Sequence, residues 1–334
     1  MRRLETIIVV LAIGFYVWFL GHFGVRQVLG YVRLAGWGLL LTVSLEAFAR
    51  AANTLGWLAT IGPYDALPFS KLFAARIAGE AIDYVTPSAQ LGGQFVMAMM
   101  VRRSLPMAKG LGTVVVAALC EMIGQIAFIS LALLMSIGLI PRNSDFFWAL
   151  LGGFVLALTL ITGFLYVQRK HPFSYLVSAA GKVPGIDTEE YRDAAAGADQ
   201  FLLDFYSRHV DRLVLSSLCY LFAWSLGPLE IYILLRLLHQ PASFQIALLV
   251  EAAGLLLERA TFLIPAKLVS QEGGKALILA LLGYPAGVGF AIGFLRRIKE
   301  MIWVLFGLVS LMIHRMTVGA EVNSGHADKI VALG

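Results

Sequence analysis

The sequence predicts an all-α polytopic membrane protein with about six full transmembrane helices and two re-entrant helical hairpins, arranged as inverted repeats. Composition, the lengths of the apolar segments and a duplicated motif predict this class. Of the 334 residues, 59% are hydrophobic and only 14% are charged. The mean hydropathy is +0.80, and the apolar runs repeatedly exceed the length that spans a bilayer. A soluble globular fold is therefore excluded.

A motif occurs twice in this apolar sequence. Pro106 precedes Glu121 by fifteen residues, and Pro285 precedes Glu300 by the same distance. In both copies Met and Ile follow the glutamate, and another proline with a Gly-Gly pair lies upstream: Pro87 with Gly92-Gly93, and Pro265 with Gly273-Gly274. A duplicated segment that prolines and glycines interrupt, with carboxylates at membrane depth, is typical of transporters built from two related halves.

Six segments are long enough to cross a hydrocarbon core of about 30 Å, which takes about 20 helical residues. From hydropathy and helix breakers, we expect these spans at about residues 6–24, 35–61, 107–139, 146–168, 211–237 and 287–314. The first span follows Met1-Arg2-Arg3 and lacks the small-residue cleavage pattern of a signal peptide. We therefore interpret it as a retained span.

Two further apolar stretches, about 69–104 and 243–283, are interrupted near the middle by Pro87 and Pro265. Arms of about fifteen residues rise only about 22 Å at about 1.5 Å per residue, which is less than the thickness of the hydrocarbon core. The sequence therefore favours re-entrant hairpins. The alternative is that each arm crosses alone in a thin or water-lined region, which would give ten crossings.

The distribution of Lys and Arg predicts the orientation. With the amino terminus in the cytoplasm, the outer loops receive only Arg26, Arg33, Arg142 and Arg236, as the positive-inside rule requires. The first hairpin then enters from the cytoplasm and the second from outside, so the two halves are inverted repeats. Both termini are expected to be cytoplasmic.

This topology divides the chain into four regions. They are a first membrane half over 1–168, a cytoplasmic linker over 169–210, a second membrane half over 211–315 and a cytoplasmic tail over 316–334. In the linker, Asp187 and Glu190 predict a capping box. Apolar residues then recur at helical spacing, which predicts an amphipathic helix on the membrane surface, at Tyr191, Ala194, Ala198, Phe201, Leu202 and Phe205.

Ionisable groups at membrane depth cost at least about 2.5–3.5 kcal/mol each, so they should face protein or water. Glu46 and Arg50 lie one helical turn apart and can pair, either as a structural ion pair or as part of a ligand site. In the first hairpin, Arg76 and Glu80 repeat this spacing. The segment that follows would place a helix amino terminus, which attracts phosphate or carboxylate, at mid-membrane; its candidate binding residues are Thr86, Ser88, Gly92, Gly93 and Gln94.

The second half carries more cations. The last span has Arg296, Arg297 and Lys299 beside Glu300, whereas the corresponding part of the first repeat keeps only Glu121. Arginine can hold a phosphate through two parallel N–H···O bonds, so these cations predict a cavity for an anionic headgroup. The second hairpin adds further candidates, which are Glu251, Glu258, Arg259, Lys267, Gln271, Glu272 and Gly273. The alternative is that the arginines neutralise Glu258, Glu272 and Glu300.

Other function classes lack their sequence signatures. The net charge is +5, but no basic run is interleaved with aromatic residues, so a nucleic-acid partner is not expected. Cys120 and Cys219 indicate neither a disulfide framework nor a metal site, and the six histidines lack metal-binding spacing. No nucleotide-binding loop or hydrolase motif occurs. We therefore expect no enzyme activity, no catalytic residue, no metal and no cofactor.

Two motif blocks carry a family resemblance. The first is Ala75-Arg76-Ile77-Ala78-Gly79-Glu80 with Thr86-Pro87-Ser88 and Gly92-Gly93. The second is Ile264-Pro265-Ala266-Lys267 with Gln271-Glu272-Gly273-Gly274 and Leu295-Arg296-Arg297-Ile298-Lys299-Glu300. Together they resemble the flippase-like integral membrane family, also known as the transmembrane region of lysylphosphatidylglycerol synthase. The second block is similar to the HpnL-like subgroup associated with hopanoid biosynthesis. The resemblance extends to about residue 314.

The resemblance implies a flippase or transporter of the bacterial inner membrane that moves an anionic or lipid-linked substrate between leaflets. Its partners would be membrane lipids, such as a phospholipid, a hopanoid or a polyprenyl-linked lipid. We expect no aminoacyl-transferase domain, so lipid aminoacylation is not carried over. Where the family commonly has Gly-Gly-Glu, this chain has Gln94, which argues against proton coupling in the first hairpin and favours Glu272.

The resulting hypothesis places the headgroup on cations from both halves, which are Arg76, Arg259, Arg296 and Arg297. Glu272, with Glu121 or Glu300, would change protonation or partner during transport. One alternative is a non-transporting scaffold or accessory subunit that supplies lipid to a biosynthetic enzyme. A membrane-embedded transferase is less favoured, because no acid–base or metal constellation stands out.

Overall fold

The computed structural model describes residues 33, 36–61, 67–86, 91–168, 170–181, 189–260 and 272–331, with some side chains inside these ranges left out. Every regular element bounded within these ranges is helical, which confirms the predicted all-α class. The eleven α-helices are α1 Trp37–Ile61, α2 Phe69–Val85, α3 Leu91–Val101, α4 Met107–Ser136, α5 Asp145–Gln168, α6 Pro172–Ala180, α7 Glu189–Arg208, α8 Val210–Leu237, α9 Phe244–Ala260, α10 Glu272–Leu281 and α11 Ala286–Val331. A short 3-10 helix, Ile137–Leu139, follows α4.

In the part of the chain that the structure describes, four helical segments are both long and apolar enough to cross a membrane: Met107–Leu139, Asp145–Gly163, Val210–Leu237 and Gly287–Thr317. They match four of the six predicted spans. Helix α1 has 25 residues and matches a fifth predicted span, but it carries Glu46 and Arg50 and is not one of these four segments. The predicted span at 6–24 lies outside the described residues. Large exposed apolar side chains on several of these helices, such as Phe48, Leu134, Trp148 and Phe222, fit a lipid environment.

The first predicted hairpin consists of α2 and α3, which are separate, antiparallel helices on either side of Pro87. Lys71 Nζ donates to Ser104 Oγ over 2.7 Å at the open end. Near the closed end, the Gly93 N–H donates to Asp83 Oδ1 over 2.7 Å. With 17 and 11 residues, the arms rise about 26 and about 17 Å at about 1.5 Å per residue, so each is shorter than the hydrocarbon core.

The closed end of this hairpin depends on the absence of a side chain at Gly93. A Cβ atom there would clash with the Gly79 carbonyl oxygen and the Asp83 carboxylate. We expect Gly93→Ala to lower the free energy of unfolding by about 1–3 kcal/mol, because the obstacle is helix backbone that cannot move aside. Detergent-titrated unfolding would measure this. Gly287→Ala is the control, since no atom lies within 4 Å of its added Cβ; equal losses in both variants would contradict the prediction.

The second predicted hairpin consists of α9 and α10, with 17 and 10 residues. At its open end, the Tyr284 hydroxyl donates to the Pro241 carbonyl over 2.6 Å. Burial raises the pKa of this phenol, which keeps it a donor. Deeper in the hairpin, Lys275 Nζ lies 3.1 Å from Glu251 Oε2. These pairs show that α9 and α10 are also antiparallel, while Pro265 lies outside the described residues.

The two hairpins pack against opposite ends of the apolar part of α11, Gly287–Thr317. Ser310 Oγ donates to the Ala74 carbonyl over 3.0 Å, which places α2 against the later turns of α11. In contrast, α10 lies against the first turns, where a Cβ at Gly289 would clash with the backbone of Ala276. Between these contacts, Arg297 Nη1 lies 3.5 Å from the Tyr84 hydroxyl near the end of α2. The hairpins therefore approach the middle of this part of α11 from its two ends.

Helices α1 and α8 form an antiparallel pair through small residues. Ser216 Oγ donates to the Gly56 carbonyl over 2.8 Å, and a Cβ at Gly56 would lie 2.7 Å from the Tyr220 ring. Helix α4 approaches α8 just as closely, since a Cβ at Gly124 would lie 2.8 Å from the Leu221 nitrogen. Such close approach at small residues is the usual way that transmembrane helices associate.

The linker contains the predicted amphipathic helix, α7. Of its predicted apolar positions, Ala198, Leu202 and Phe205 are buried and Phe201 packs against Gly112 of α4. This face is therefore covered by protein. The buried Asp199 carboxylate accepts hydrogen bonds from the Phe173 and Ser174 N–H groups over 3.0 and 2.9 Å and so caps α6. Asp187 and the side chains of Glu190, Tyr191 and Ala194 lie outside the description.

Helix α7 defines one end of the molecule, which we call the linker end. Leu202 and Phe205 share an apolar cluster with Leu72 and Leu105, so the open end of the first hairpin lies here. The open end of the second hairpin lies at the far end of α4, where Ser136 Oγ donates to the Gln245 carbonyl over 3.1 Å. The re-entrant placement in a bilayer, the inverted repeat and the four-region division stay predictions.

Candidate functional site: a buried chain of ion pairs

Ten charged side chains from both halves form one continuous series of ion pairs, which we call the ion-pair chain. Acidic and basic groups alternate along it, and helices α1, α2, α4, α8, α9, α10 and α11 all contribute. In order, its members are Glu121, Arg76, Glu80, Arg50, Glu46, Lys299, Glu230, Arg296, Glu251 and Lys275. Five are acidic and five are basic, so the ten charges balance.

At the first-half end of the ion-pair chain, the central residue is Arg76 on α2. Its Nε lies 2.8 Å from Glu80 Oε1, and its Nη2 lies 3.1 Å from Glu121 Oε2. Its Nη1 also donates to the Tyr220 hydroxyl over 3.0 Å. Arg50 then connects Glu80 to Glu46, whose Oε1 lies 3.1 Å from Arg50 Nη2. The two pairs that the spacing suggested, Glu46 with Arg50 and Arg76 with Glu80, are thus both present.

The second-half end is organised around two cations on α11. Lys299 Nζ lies 2.9 Å from Glu46 Oε2 and 2.7 Å from Glu230 Oε1, so it joins α1 to α8. One turn earlier, Arg296 Nε lies 3.1 Å from Glu230 Oε2, and its Nη2 donates to Glu251 Oε1 over 3.1 Å. Lys275 completes the chain against Glu251.

Two glycines make room for this last pair. A Cβ at Gly227 would lie 2.6 Å from Glu251 Oε1, and a Cβ at Gly254 would clash with Lys275 Nζ. Because burying an unpaired charge costs several kcal/mol, Lys275 is held in place by Glu251, and Glu251 by both Lys275 and Arg296. The helix packing at this point is therefore built around the charges.

Ion pairing neutralises two of the four cations that the sequence assigned to a headgroup, Arg76 and Arg296. Arg296 faces Glu230 and Glu251, and Arg76 faces Glu80 and Glu121. The sequence left open whether carboxylates balance the arginines. In the structure carboxylates pair with Arg76 and Arg296, and the direct partners of Arg296 are Glu230 and Glu251. Each cation except Lys275 contacts two carboxylates, which is the arrangement from which a ligand can displace one partner.

The ends of the ion-pair chain differ in exposure. Side chains of Glu121, Glu80 and Glu46 are 32%, 29% and 23% exposed, whereas those of Glu230 and Glu251 are each only 3% exposed. The first-half end is therefore the more exposed end of the ion-pair chain. The second-half end is closed.

The turn at the start of α3 was predicted to bind an anionic ligand. In the structure a carboxylate of the protein itself, that of Asp83, occupies this position. The Asp83 carboxylate accepts the Gly93 N–H. Thr86 ends α2, and its hydroxyl donates to the Ile82 carbonyl over 2.7 Å. Gly92 and Gln94 are half-buried in the first turn of α3.

The remaining predicted residues lie near the ion-pair chain or outside the residues that the structure describes. Arg297 is fully buried beside Tyr84. Glu300 interacts electrostatically with Arg50 and Arg296, as Glu258 does with Lys275. Gly273 is exposed in the first turn of α10. Ser88, Lys267, Gln271 and the side chains of Arg259 and Glu272 lie outside the described residues.

Sequence reasoning missed Glu230, Lys275 and Tyr220. Glu230 follows Pro228 within the apolar span α8, and Lys275 follows the second Gly-Gly pair. The signal for Glu230 was available, because a lone charge in a membrane span implies a partner of opposite charge. Tyr220 gave no such signal, since a tyrosine in an apolar helix is common.

The fold and the ion-pair chain define a polytopic helical membrane protein with a charged interior. The sequence profile of the lysylphosphatidylglycerol synthase TM region matches residues 6–307, and the chain belongs to this family. Membership indicates a membrane protein involved in lipid modification or transport. No curated relative and no solved structure matches the chain significantly.

Proposed function

We propose that this protein is a non-enzymatic flippase or transporter that moves an anionic lipid between the leaflets of the bacterial inner membrane. One observation carries the proposal: the ion-pair chain lies where two helical hairpins converge on α11. Polar groups inside a membrane protein are costly to maintain and commonly mark a substrate pathway. A site formed by broken helices near mid-membrane is the usual arrangement in transporters with repeated halves.

The alternation of charges supports binding by exchange of partners. Removing one partner of a buried ion pair costs about 3–5 kcal/mol when nothing replaces it. Arg76, however, holds both Glu80 and Glu121. A lipid phosphate that takes the place of Glu121 would leave Arg76 paired on both sides, because guanidinium accommodates phosphate as readily as carboxylate. The exposure of Glu121 and Glu80 makes this end the proposed point of access.

Partner exchange also gives a route for energy coupling. A carboxylate displaced by the substrate needs either a proton or another cation. Glu121 and Glu80, as the most exposed members of the ion-pair chain, are the proposed groups for this role. The coupling roles of Glu272 and Glu300, and the association with hopanoids, stay predictions.

The matching order of helices in the two halves supports the inverted repeat. Helices α2 and α9 have 17 residues each, and their antiparallel partners α3 and α10 have 11 and 10. Each hairpin is preceded by α1 or α8 and followed by α4 or α11. Since the hairpins enter from opposite ends, rocking of one half against the other would expose the ion-pair chain to each side in turn. We place the linker end in the cytoplasm, where the loop cations concentrate.

Arg76→Lys tests the proposed site while keeping the charge. We expect the rate of lipid translocation to fall at least about tenfold, since lysine cannot make the two-pronged contact that a phosphate would use. The assay follows a headgroup-labelled phosphatidylglycerol in proteoliposomes with a membrane-impermeant quencher. Arg236→Lys, at an exposed arginine that contacts Tyr232, is the matched control. An unchanged rate in Arg76→Lys would exclude the site, and a wild-type rate equal to that of protein-free liposomes for every anionic lipid tested would exclude the function.

A further inference from the structure

An apolar groove of about 590 Å³ runs along the outside of the protein between α2 and α11. Its walls are formed mainly by Ile77, Phe306, Val309 and Ile313. Lys71 lies at the linker end of the groove, and Trp303 lies at the inner end beside the ion-pair chain. Because its walls are apolar, the groove suits a hydrocarbon chain better than a headgroup.

The dimensions of the groove fit one leaflet. On α11 its lining extends from Trp303 to Thr317, which corresponds to about 21 Å at about 1.5 Å per residue. Trp303 lies near the middle of the apolar segment Gly287–Thr317. Half of a hydrocarbon core of about 30 Å is about 15 Å, so the groove is long enough to reach from the middle of a bilayer past the start of its headgroup region. Its outer end, at Lys71, lies at the linker end of the protein.

The outer end of the groove favours a negative charge. Lys71 Nζ donates one hydrogen bond to Ser104 Oγ, which leaves two of the three ammonium hydrogens for another acceptor. Arg102 is exposed in the same turn between α3 and α4. A phosphate at the surface of the linker-side leaflet would therefore meet a cation directly above the apolar walls.

The inner end of the groove holds a second polar feature. Trp303 is only 8% exposed, and its Nε1 has no hydrogen-bond partner in the described part of the chain. Its ring separates the groove from Arg50, whose Cζ lies 5.0 Å from the ring centroid. A buried donor without an acceptor is costly, and an oxygen of a bound molecule would reach this one only after the ring moves.

We propose that this groove, lined by α2 and α11, binds one acyl chain of an anionic glycerophospholipid in the linker-side leaflet, with the phosphate on Lys71. At the inner end of the groove, the Trp303 ring lies between the bound chain and Arg50. This inference deepens the proposed function, because it names the substrate class and the side from which the lipid reaches the ion-pair chain. Occupancy of the groove does not itself require transport.

A second groove provides an internal control. It has a volume of about 380 Å³, lies between α1 and α8, and is lined by Phe48, Ala51, Ala52, Leu55, Leu218, Cys219 and Phe222. None of these lining residues is charged. Bulk lipid should fill it without selection for headgroup charge, whereas the groove at Lys71 should select anionic lipid.

Photo-crosslinking in vesicles of known composition tests the inference. The photoreactive residue p-benzoylphenylalanine replaces Phe306 in the first groove or Phe222 in the second, two phenylalanines that are 49% and 56% exposed. The vesicles contain phosphatidylcholine with a minor fraction of phosphatidylglycerol, and mass spectrometry identifies the captured lipid. We expect the Phe306 probe to capture phosphatidylglycerol several-fold above its share of the vesicle, and the Phe222 probe to capture lipids in proportion to their abundance.

Lys71→Gln should abolish the enrichment at Phe306, because the phosphate loses its cation while the apolar walls remain. Its thermal unfolding is compared with that of the parent protein to verify folding. Equal capture at both probes, or enrichment that survives Lys71→Gln, would overturn the inference. Crosslinking needs no translocation. Enrichment in a protein that moves no lipid would therefore refute the proposed function but still support lipid binding in the groove.

Discussion

Glu251→Ala should cause the largest loss of stability of any single substitution proposed for this protein. The Glu251 carboxylate is shared by Lys275 and Arg296, and it is 3% exposed. Its removal leaves a buried ammonium without its carboxylate partner and a guanidinium with one partner less. We expect the free energy of unfolding to fall by about 3–5 kcal/mol. Unfolding in mixed micelles, titrated with a denaturing detergent and followed by circular dichroism, would measure the loss.

A double variant separates the effect of charge from that of packing. Glu251→Leu combined with Lys275→Met removes the terminal pair together, and the eight remaining members of the ion-pair chain still balance. We expect most of the stability to return, because apolar residues of similar size often replace a buried ion pair without loss. Glu189→Ala, which removes an exposed ion pair with Arg192, should change the stability by less than about 0.5 kcal/mol. A double variant as unstable as Glu251→Ala would show that packing, not charge, holds this region.

Gly307→Leu should separate the first hairpin from α11. A Cβ at Gly307 would clash with the Ile77 carbonyl oxygen and would also crowd the Ala81 Cβ at 2.7 Å. Neither atom can move independently of the α2 backbone, so the helices must shift apart. We expect a loss of at least about 1–3 kcal/mol from overpacking. Lipid translocation should fall as well, because the shift would pull Arg76 and Glu80 away from their partners.

Gly152→Leu is the matched control for this substitution. Gly152 is exposed on the apolar helix α5, and no atom lies within 4 Å of an added Cβ. Leucine favours the helix more than glycine by about 0.8–1 kcal/mol, so this variant should be neutral or slightly more stable. Native gel filtration and the detergent titration would compare the two variants. Similar behaviour of both would contradict the close packing of α2 on α11.

The helical class, the position of four spans and the interruption between α2 and α3 could be predicted because they depend on local chemistry. A run of apolar residues must satisfy its backbone hydrogen bonds internally, which leaves helices as the structure in lipid. Proline cannot donate a backbone hydrogen bond and disfavours helix at the preceding residue. Glu46 and Arg50 could be paired from spacing alone, since residues four apart share a helix face.

The long-range partners could not be predicted in the same way. Lys299 meets Glu46 across 253 positions of the chain, and it meets Glu230 across 69. Nothing in the spacing of these residues relates them, because their meeting depends on how α1, α8 and α11 pack. The composition indicated that buried cations need carboxylates, but several carboxylates were available to each cation. Gln94 and the Gly92-Gly93 turn were likewise candidate ligand-binding residues. In the structure, however, the Asp83 carboxylate of the neighbouring helix accepts the hydrogen bond of the Gly93 N–H.

By itself the sequence determined that the chain is a helical membrane protein with two interrupted segments and charges within its spans. These features follow from the cost of exposing backbone polar groups and charges to lipid. Each segment avoids the backbone cost through its own local hydrogen bonds. Only the tertiary structure decided that the charges form one balanced series and that its first-half end is open. That outcome depends on how closely the helices approach one another at small residues such as Gly56, Gly124 and Gly227. The helix packing determines which charged side chains come within contact distance.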